Sequence, residues 1–250
     1  MSDMQWFEKE NFWLNYGPVM FDAHHWAEAP GIAKAICRIC NLPEGSRILD
    51  AGCGPGRITV ELALQGMDAT GVDIIGPYLE AAQESAAAEG LSITTVQADL
   101  RNFQTENLFD AAVNLYTSFG YCDTPEEDTK ILRNIAAAVR PGGWFVMECL
   151  SRENAVRDFI EGEWFHRSGK TVLTEFAVAG AWEGLRSRWI LIDDETGQRT
   201  EHEFVQRLYS AVELRKTLLN CGFSSVEIYG DFELSPYDHK AATMVIVCRK

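Results

Sequence analysis

Short apolar runs alternate with helix-length amphipathic stretches over the first 150 positions of the chain. "RILDA" (47–51), "ATGVDI" (69–74), "SITTVQA" (92–98), "FDAAVNLYT" (109–117) and "WFVMECL" (144–150) read as strands. Helices are expected from about Pro30 to Cys40, with the proline in the first turn, and from Arg57 to Gln65. Another is the alanine-rich "YLEAAQESAAAEG", ended by Gly90. In "DTPEEDTKILRNIAAAVRPGG", Thr124 and Glu127 make a capping box and Pro141-Gly142-Gly143 is read as the stop. Strands alternating with helices imply parallel pairing in an open α/β sheet.

After a short helix near 152–161 the rhythm changes. "TVLTEFAVA", "LRSRWILID" and "RTEHEFVQRLY" follow one another without helices, an antiparallel insertion. Ser210 and Glu213 cap a last helix, which ends at Cys221-Gly222 before the closing strands "SSVEIYGDF" and "ATMVIVCRK". The expected organisation is an aromatic cap with the first helix (1–44), a core (45–160 and 210–250) and a lid (161–209).

Composition narrows the partners. The chain has 250 residues, 46% of them hydrophobic, and a formal net charge of −15 from 22 Lys+Arg against 37 Asp+Glu. That charge argues against a nucleic-acid partner. No apolar run approaches the roughly 20 residues of a membrane span. The acidic, aromatic start "MSDMQWFEKENFW" is unlike a secretion signal, and seven scattered cysteines suit reduced thiols, so the expected location is cytoplasmic. Cys37 and Cys40 form a CxxC but sit on the apolar face of a helix with no second pair, so no metal is expected.

The chemistry concentrates in "LDAGCGPGR" (49–57), a glycine loop between the first strand and its helix. Ligands of open α/β sheets bind at such strand ends. The phosphate-loop pattern GxxxxGK[ST] is absent, and Gly52, Gly54 and Gly56 give GxGxG rather than the dinucleotide GxGxxG. Asp50, just before the loop, would repel a pyrophosphate and suit a cation. The glycines are therefore read as letting backbone pass close beneath a cationic nucleoside.

That stretch resembles motif I of the class I S-adenosylmethionine-dependent methyltransferases. Asp73, 23 residues beyond Asp50, matches the family's acidic residue that holds both ribose hydroxyls, and "QADLRNF", "FDAAVNLYTSFGY" and "VRPGGWFVME" resemble its next three motifs in order. The resemblance implies a Rossmann-like, open, seven-stranded, mostly parallel sheet with helices on both faces and an antiparallel insertion after strand 5. It also implies S-adenosyl-L-methionine as cofactor, with Asp99 accepting from the adenine amino group and the Leu100 amide meeting a ring nitrogen. Asp50, Gly52, Cys53, Gly54, Ile74 and Leu115 complete the cofactor set, and Tyr16 is expected at the cofactor's carboxylate end.

The arm and lid resemble those of small-molecule methyltransferases. Trp13, Tyr116, Trp164, Arg188 and Arg207 are the candidate acceptor contacts; His24, His25, His166, His202, His239 and Tyr116 are the candidate bases, with His166, beside Trp164 and Phe165 in the lid, the best placed. The expected activity is methyl transfer to nitrogen or oxygen of a small molecule by in-line displacement. The alternatives are a nucleic-acid or protein methyltransferase and a non-catalytic cofactor-binding protein. No [DNS]PP[YF] motif follows strand 4, and no glutamate pair lies in that loop ahead of the helix start, which disfavours the first two. Neither the acceptor nor the oligomeric state is legible here.

Overall fold

The computed structural model describes residues 5–250. Seven strands form the main sheet: β1 (Arg47–Ala51), β2 (Asp68–Asp73), β3 (Thr94–Gln97), β4 (Phe109–Asn114), β5 (Val139–Cys149), β10 (Ser225–Tyr229) and β11 (Met244–Arg249). Their order is β10-β11-β5-β4-β1-β2-β3, and β11 alone runs opposite in direction to the other six. Because β1 pairs with both β2 and β4, its two flanking crossovers diverge at its carboxyl end. A crevice opens there, where an open α/β sheet holds its ligand.

Alternation along the strands builds two cores. Ile48, Ala111, Val113, Val146 and Val245 pack beneath α2 (Ala23–Ile39) and α3 (Arg57–Leu64). Leu49, Ala112, Phe145, Met147 and Ile246 pack with the buried face of α5 (Pro125–Ala138) and α7 (Ala211–Asn220). Thr124 and Ser210 cap α5 and α7 with the expected boxes. α4 (Gly76–Ala88) packs on α3, β2 and β3, α6 (Arg152–Arg157) follows β5, and α1 (Glu10–Met20) precedes α2.

The lid is a four-stranded antiparallel sheet, β6 (Gly162–Arg167), β7 (Lys170–Ala179), β8 (Gly184–Asp193) and β9 (Arg199–Arg207). One more strand forms than the pattern announces, because "GEWFHR" pairs with β7. Phe12, Tyr16 and Val19 of α1 pack on Val172 and Leu191 of this sheet, a third core that joins arm to lid.

Two punctuation readings need correction. Pro30 is interior to α2, which begins seven residues earlier under an Asp22 cap. Its missing N–H and ring are accommodated within a helix whose tertiary packing overrides the local preference. Pro141-Gly142-Gly143 does not stop α5, which already ends at Ala138; it forms a bulge in β5 between the pairs Phe109–Val139 and Ala111–Trp144. Glycine is needed at 143 because a Cβ would press on the Asp110 carbonyl at 2.8 Å.

Candidate functional site

A cavity of about 450 Å³ occupies the crevice at the strand ends. The loop after β1 contributes Asp50, Gly52, Cys53 and Gly54, and the end of β2 contributes Asp73 and Ile74. Asp99 and Leu100 enter after β3, and Leu115 and Tyr116 after β4. Trp6, Phe7 and Trp13 from the arm and Phe204 from β9 also line it.

Two carboxylates, buried Asp50 and half-buried Asp73, line its floor. Asp50 accepts from the Thr59 hydroxyl at 2.7 Å, and burial pushes its carboxyl up to about 6. Asp73 accepts from the backbone N–H of Gly54 at 2.8 Å and of Ile75 at 2.9 Å; burial raises its carboxyl too, against those hydrogen bonds. Carboxylates held out of water beside one cavity favour a ligand that brings cationic or hydroxyl donors.

The three loop glycines divide their work. Gly54, at φ +54°, meets only Phe21 when a Cβ is built, at 3.5 Å, so its missing side chain leaves room on the cavity side. Gly52, at φ +81°, faces Ser118 at 3.1 Å. Gly56 departs from the sequence reading. It is not on the cavity, and a Cβ there would collide with Ala82 of α4, so this glycine serves close packing of α3 on α4.

At the far wall, Tyr116 (φ +53°) and Thr117 (φ +60°) take left-handed conformations that side chains disfavour. Glu148 of β5 holds this turn: its Oε2 accepts from the Tyr116 N–H at 2.8 Å, and its own carboxyl is raised by burial. The guanidinium of buried Arg57 lies 4.0 Å from the Tyr116 ring centroid. The Tyr116 hydroxyl is buried without a partner among the described residues.

The arm is fastened over the β3 side. Arg101 donates to Asp99 at 2.8 Å and to Glu8 of the 3-10 turn Trp6–Glu8. Trp6 stacks on Phe204 at 4.5 Å, so the arm and lid meet above the cavity.

Five sequence candidates lie elsewhere. Tyr16 is buried between arm and lid, its hydroxyl donating to the Trp189 carbonyl at 3.0 Å, because α1 turns Trp13 toward the cavity and Tyr16 toward the sheet. Trp164 is 67% exposed and His166 sits beside it on the outer face of β6, next to Thr171 and Asp194. Arg188 pairs on the lid with Glu175 and Glu201 at 2.8 and 2.6 Å. Arg207 donates to fully buried Asp128 at 2.6 Å and to the Cys122 carbonyl at 3.0 Å, a structural pairing. Cys37 and Cys40 are free, with Cys40 in the core, and among the described residues no cluster of acidic, Cys or His side chains has the makings of a metal site.

The sequence reading left Arg57, Arg101, Glu148 and Phe204 unassigned to the site and gave His25 no special position. For His25 the signal is present: "DAHH" places an aspartate three residues ahead of it, the spacing of a helix cap.

Residues 48–143 match the family described as a methyltransferase domain. The Bacillus subtilis (strain 168) protein YqeM, which carries a methyltransferase name, is 25% identical over 196 residues, 77% of this chain and 79% of its own length. The S-adenosyl-L-methionine-dependent Diels-Alderase iccD of Talaromyces variabilis is 35% identical over 122 residues, 47% of this chain and 41% of that protein. The dTDP-3-amino-3,4,6-trideoxy-alpha-D-glucopyranose N,N-dimethyltransferase of Streptomyces venezuelae is 29% identical over 147 residues, 58% of this chain and 60% of that one. The chain thus spans less than two thirds of the latter two. In fold, an S-adenosylmethionine-dependent methyltransferase from Clostridium acetobutylicum ATCC 824 superposes with a TM-score of 0.80 at 15% identity, over 95% of this chain and 98% of that one. Residues 48–143 thus carry a methyltransferase domain, and the strand order and the strand-end cavity containing Asp50 and Asp73 accord with that fold.

Proposed function

We propose that this chain is an enzyme that methylates nitrogen or oxygen of a small molecule by in-line displacement, with S-adenosyl-L-methionine as donor. The observation that carries the reading is the cavity itself, walled by the strand-end loops below and by arm and lid aromatics above. Bound there, S-adenosylmethionine supplies an activated methyl group on a positively charged sulfur. The protein's work is to hold that charge, orient the acceptor and exclude water.

In this reading Asp73 accepts from the ribose hydroxyls, Asp99 and the Leu100 amide meet the adenine, and Ile74 and Leu115 flank the nucleoside. Asp50, Gly52, Cys53 and Gly54 form the end that carries positive charge. Asp73 retains lone pairs beyond the two amides it already serves, and a carboxylate has about four acceptor sites. Trp13 and Tyr116 face the acceptor. A cavity walled by arm and lid aromatics and the net charge of −15 support a small molecule over nucleic acid; in this reading the setting is cytoplasmic, with no membrane partner.

The second reading, cofactor binding without methyl transfer, has one observation in its favour: a relative 35% identical over its matched region is named a Diels-Alderase. The test is calorimetric titration with S-adenosylhomocysteine, followed by transfer of labelled methyl to a panel of phenols, amines and amino-sugar nucleotides. Transfer is the expected result. Binding without transfer to any acceptor supports the second reading, and absence of binding removes both.

A further inference from the structure

A heteroatom that accepts a methyl group must give up its proton, and none of the residues assigned above is placed to take it. Glu148 already accepts from the Tyr116 N–H and the Thr243 hydroxyl. Burial raises the Tyr116 hydroxyl, which makes it a donor rather than a base. His166 lies on the lid's outer face and His202 within the arm–lid aromatic cluster, away from the cavity.

His25 is different. It is the histidine that lines the cavity, and its ring centroid lies 6.3 Å from that of Tyr116. Its position is fixed from two sides. The His25 carbonyl accepts from Arg57 Nη1 at 2.6 Å, which ties this turn of α2 to the start of α3, directly after the glycine loop. Asp22, the α2 cap, takes the His25 backbone N–H at 3.0 Å and approaches ring Nδ1 at 2.6 Å through the same oxygen. The other Asp22 oxygen meets Arg167 Nε of β6 at 3.0 Å, so the lid anchors the carboxylate that orients the ring. A carboxylate against Nδ1 favours the Nδ1–H tautomer, which leaves the lone pair on Nε2.

We propose that His25 is the general base of this enzyme, taking the acceptor's proton on Nε2, and that Asp22 is its positioning residue. The proposal rests on the methyl-transfer reading. As the acceptor's heteroatom bonds to the methyl carbon, the carbon–sulfur electron pair leaves on sulfur. The proton passes to Nε2 and then to solvent, restoring neutral imidazole. Asp22 stabilises the intervening imidazolium; the amide of His25 and the neighbouring Arg167 hold its carboxyl down at about 2, so it stays ionised throughout the working range. The charged and titratable groups about His25 are Asp22, His24 and Glu28 around its own helix, Arg167 from the lid, Arg57 from α3, Tyr116 after β4 and Glu148 from β5.

An aspartate capping a helix and touching a histidine three residues on also occurs as plain structure. Two measurements separate the roles. The first needs no acceptor: nitrogen NMR of the full chain with labelled histidine, His25 being assigned by its loss in His25→Gln. The expected wild-type form is Nδ1–H with bare Nε2, and Asp22→Asn, which keeps a capping residue, is expected to lose that preference. A wild-type Nε2–H tautomer overturns the proposal.

The second compares wild type with His25→Ala on catechol, protonated at neutral pH, and pentafluorophenol, already ionised. The catechol rate is expected to fall by roughly 10²–10⁴-fold, with partial rescue by added imidazole, while the pentafluorophenol rate and S-adenosylhomocysteine affinity stay within about threefold. Equal loss on both phenols, or none on catechol, overturns it. If the methyl-transfer reading itself is wrong, wild type transfers to neither phenol nor to the panel, an outcome distinct from either, and the tautomer still decides whether Nε2 is free.

Discussion

The carboxylate of Asp73 accepts from the Gly54 amide at 2.8 Å, joining the end of β2 to the glycine loop that follows β1. A single side chain thus shapes the loop and faces the cavity. Asp73→Ala removes the acceptor for two amides and, in the proposed role, for the ribose. Hydrogen bonds to a charged group contribute about 1.5–3 kcal/mol, so S-adenosylhomocysteine binding is expected to weaken roughly 10- to 100-fold, with a smaller loss in Asp73→Asn. Calorimetry checks this, and unchanged affinity in the alanine variant would remove Asp73 from the nucleoside site.

Asp50 makes binding depend on pH in a definite direction. Its folded carboxyl lies at about 6, above the ordinary value near 4, because it is buried. Protonation therefore favours the folded apoprotein, and that contribution is present at low pH and lost as pH rises from about 4 to about 6. The ionised form suits a cationic ligand. S-adenosylmethionine affinity is expected to rise through pH 6 as apoprotein stability loses this contribution, and Asp50→Asn is expected to abolish both trends. Titrations between pH 5 and 8 with matched melting curves decide it; affinity that falls across this interval contradicts the assignment.

Legibility in the sequence followed the range of the forces involved. Strands such as "RILDA" and the boxes Thr124–Glu127 and Ser210–Glu213 are local, and the structure repeats them. The residues Asp50, Asp73, Asp99 and Leu100 come together because each ends a strand or begins the following loop, which periodicity reveals. What failed was facing. Trp164 and His166 alternate with Phe165, and only the packing of Phe165 toward the arm decides which side of β6 is inside. Tyr16 and Trp13 are three residues apart on one helix, yet the lid claims one and the cavity the other. Arg207 reads as an exposed lid charge until Asp128, 79 residues away, is brought beside it.

Gly54 and Gly56 differ by a testable margin. Gly56→Ala adds a Cβ against both Ala82 Cβ and its Cα while holding φ near +82°. Overpacking and left-handed strain together cost about 2–5 kcal/mol, or a melting-temperature fall of roughly 5–15 °C at this chain length. Gly54→Ala meets only ordinary contact with Phe21, so its stability cost is expected near 1–2 kcal/mol, from strain alone. Its larger effect is on S-adenosylhomocysteine affinity, since the new methyl stands beside the cavity. Thermal melts and titrations of the two variants should therefore rank them in opposite orders.

Arg207 offers the complementary case, a residue whose chemistry suggested a ligand and whose contacts are structural. Its guanidinium meets Asp128, which is fully buried and also accepts from the Tyr209 hydroxyl at 2.8 Å and the Cys122 amide at 3.2 Å. Arg207→Ala leaves that carboxylate without its cation, and breaking a buried pair from one side costs about 3–5 kcal/mol. The double variant Asp128→Asn/Arg207→Ala removes the stranded charge and is expected to recover a good part of the loss. Denaturant unfolding of the single and double variants measures the coupling, while S-adenosylhomocysteine affinity in the folded protein stays unchanged. A single variant as stable as wild type would mean that the Tyr209 and Cys122 donors alone suffice for Asp128.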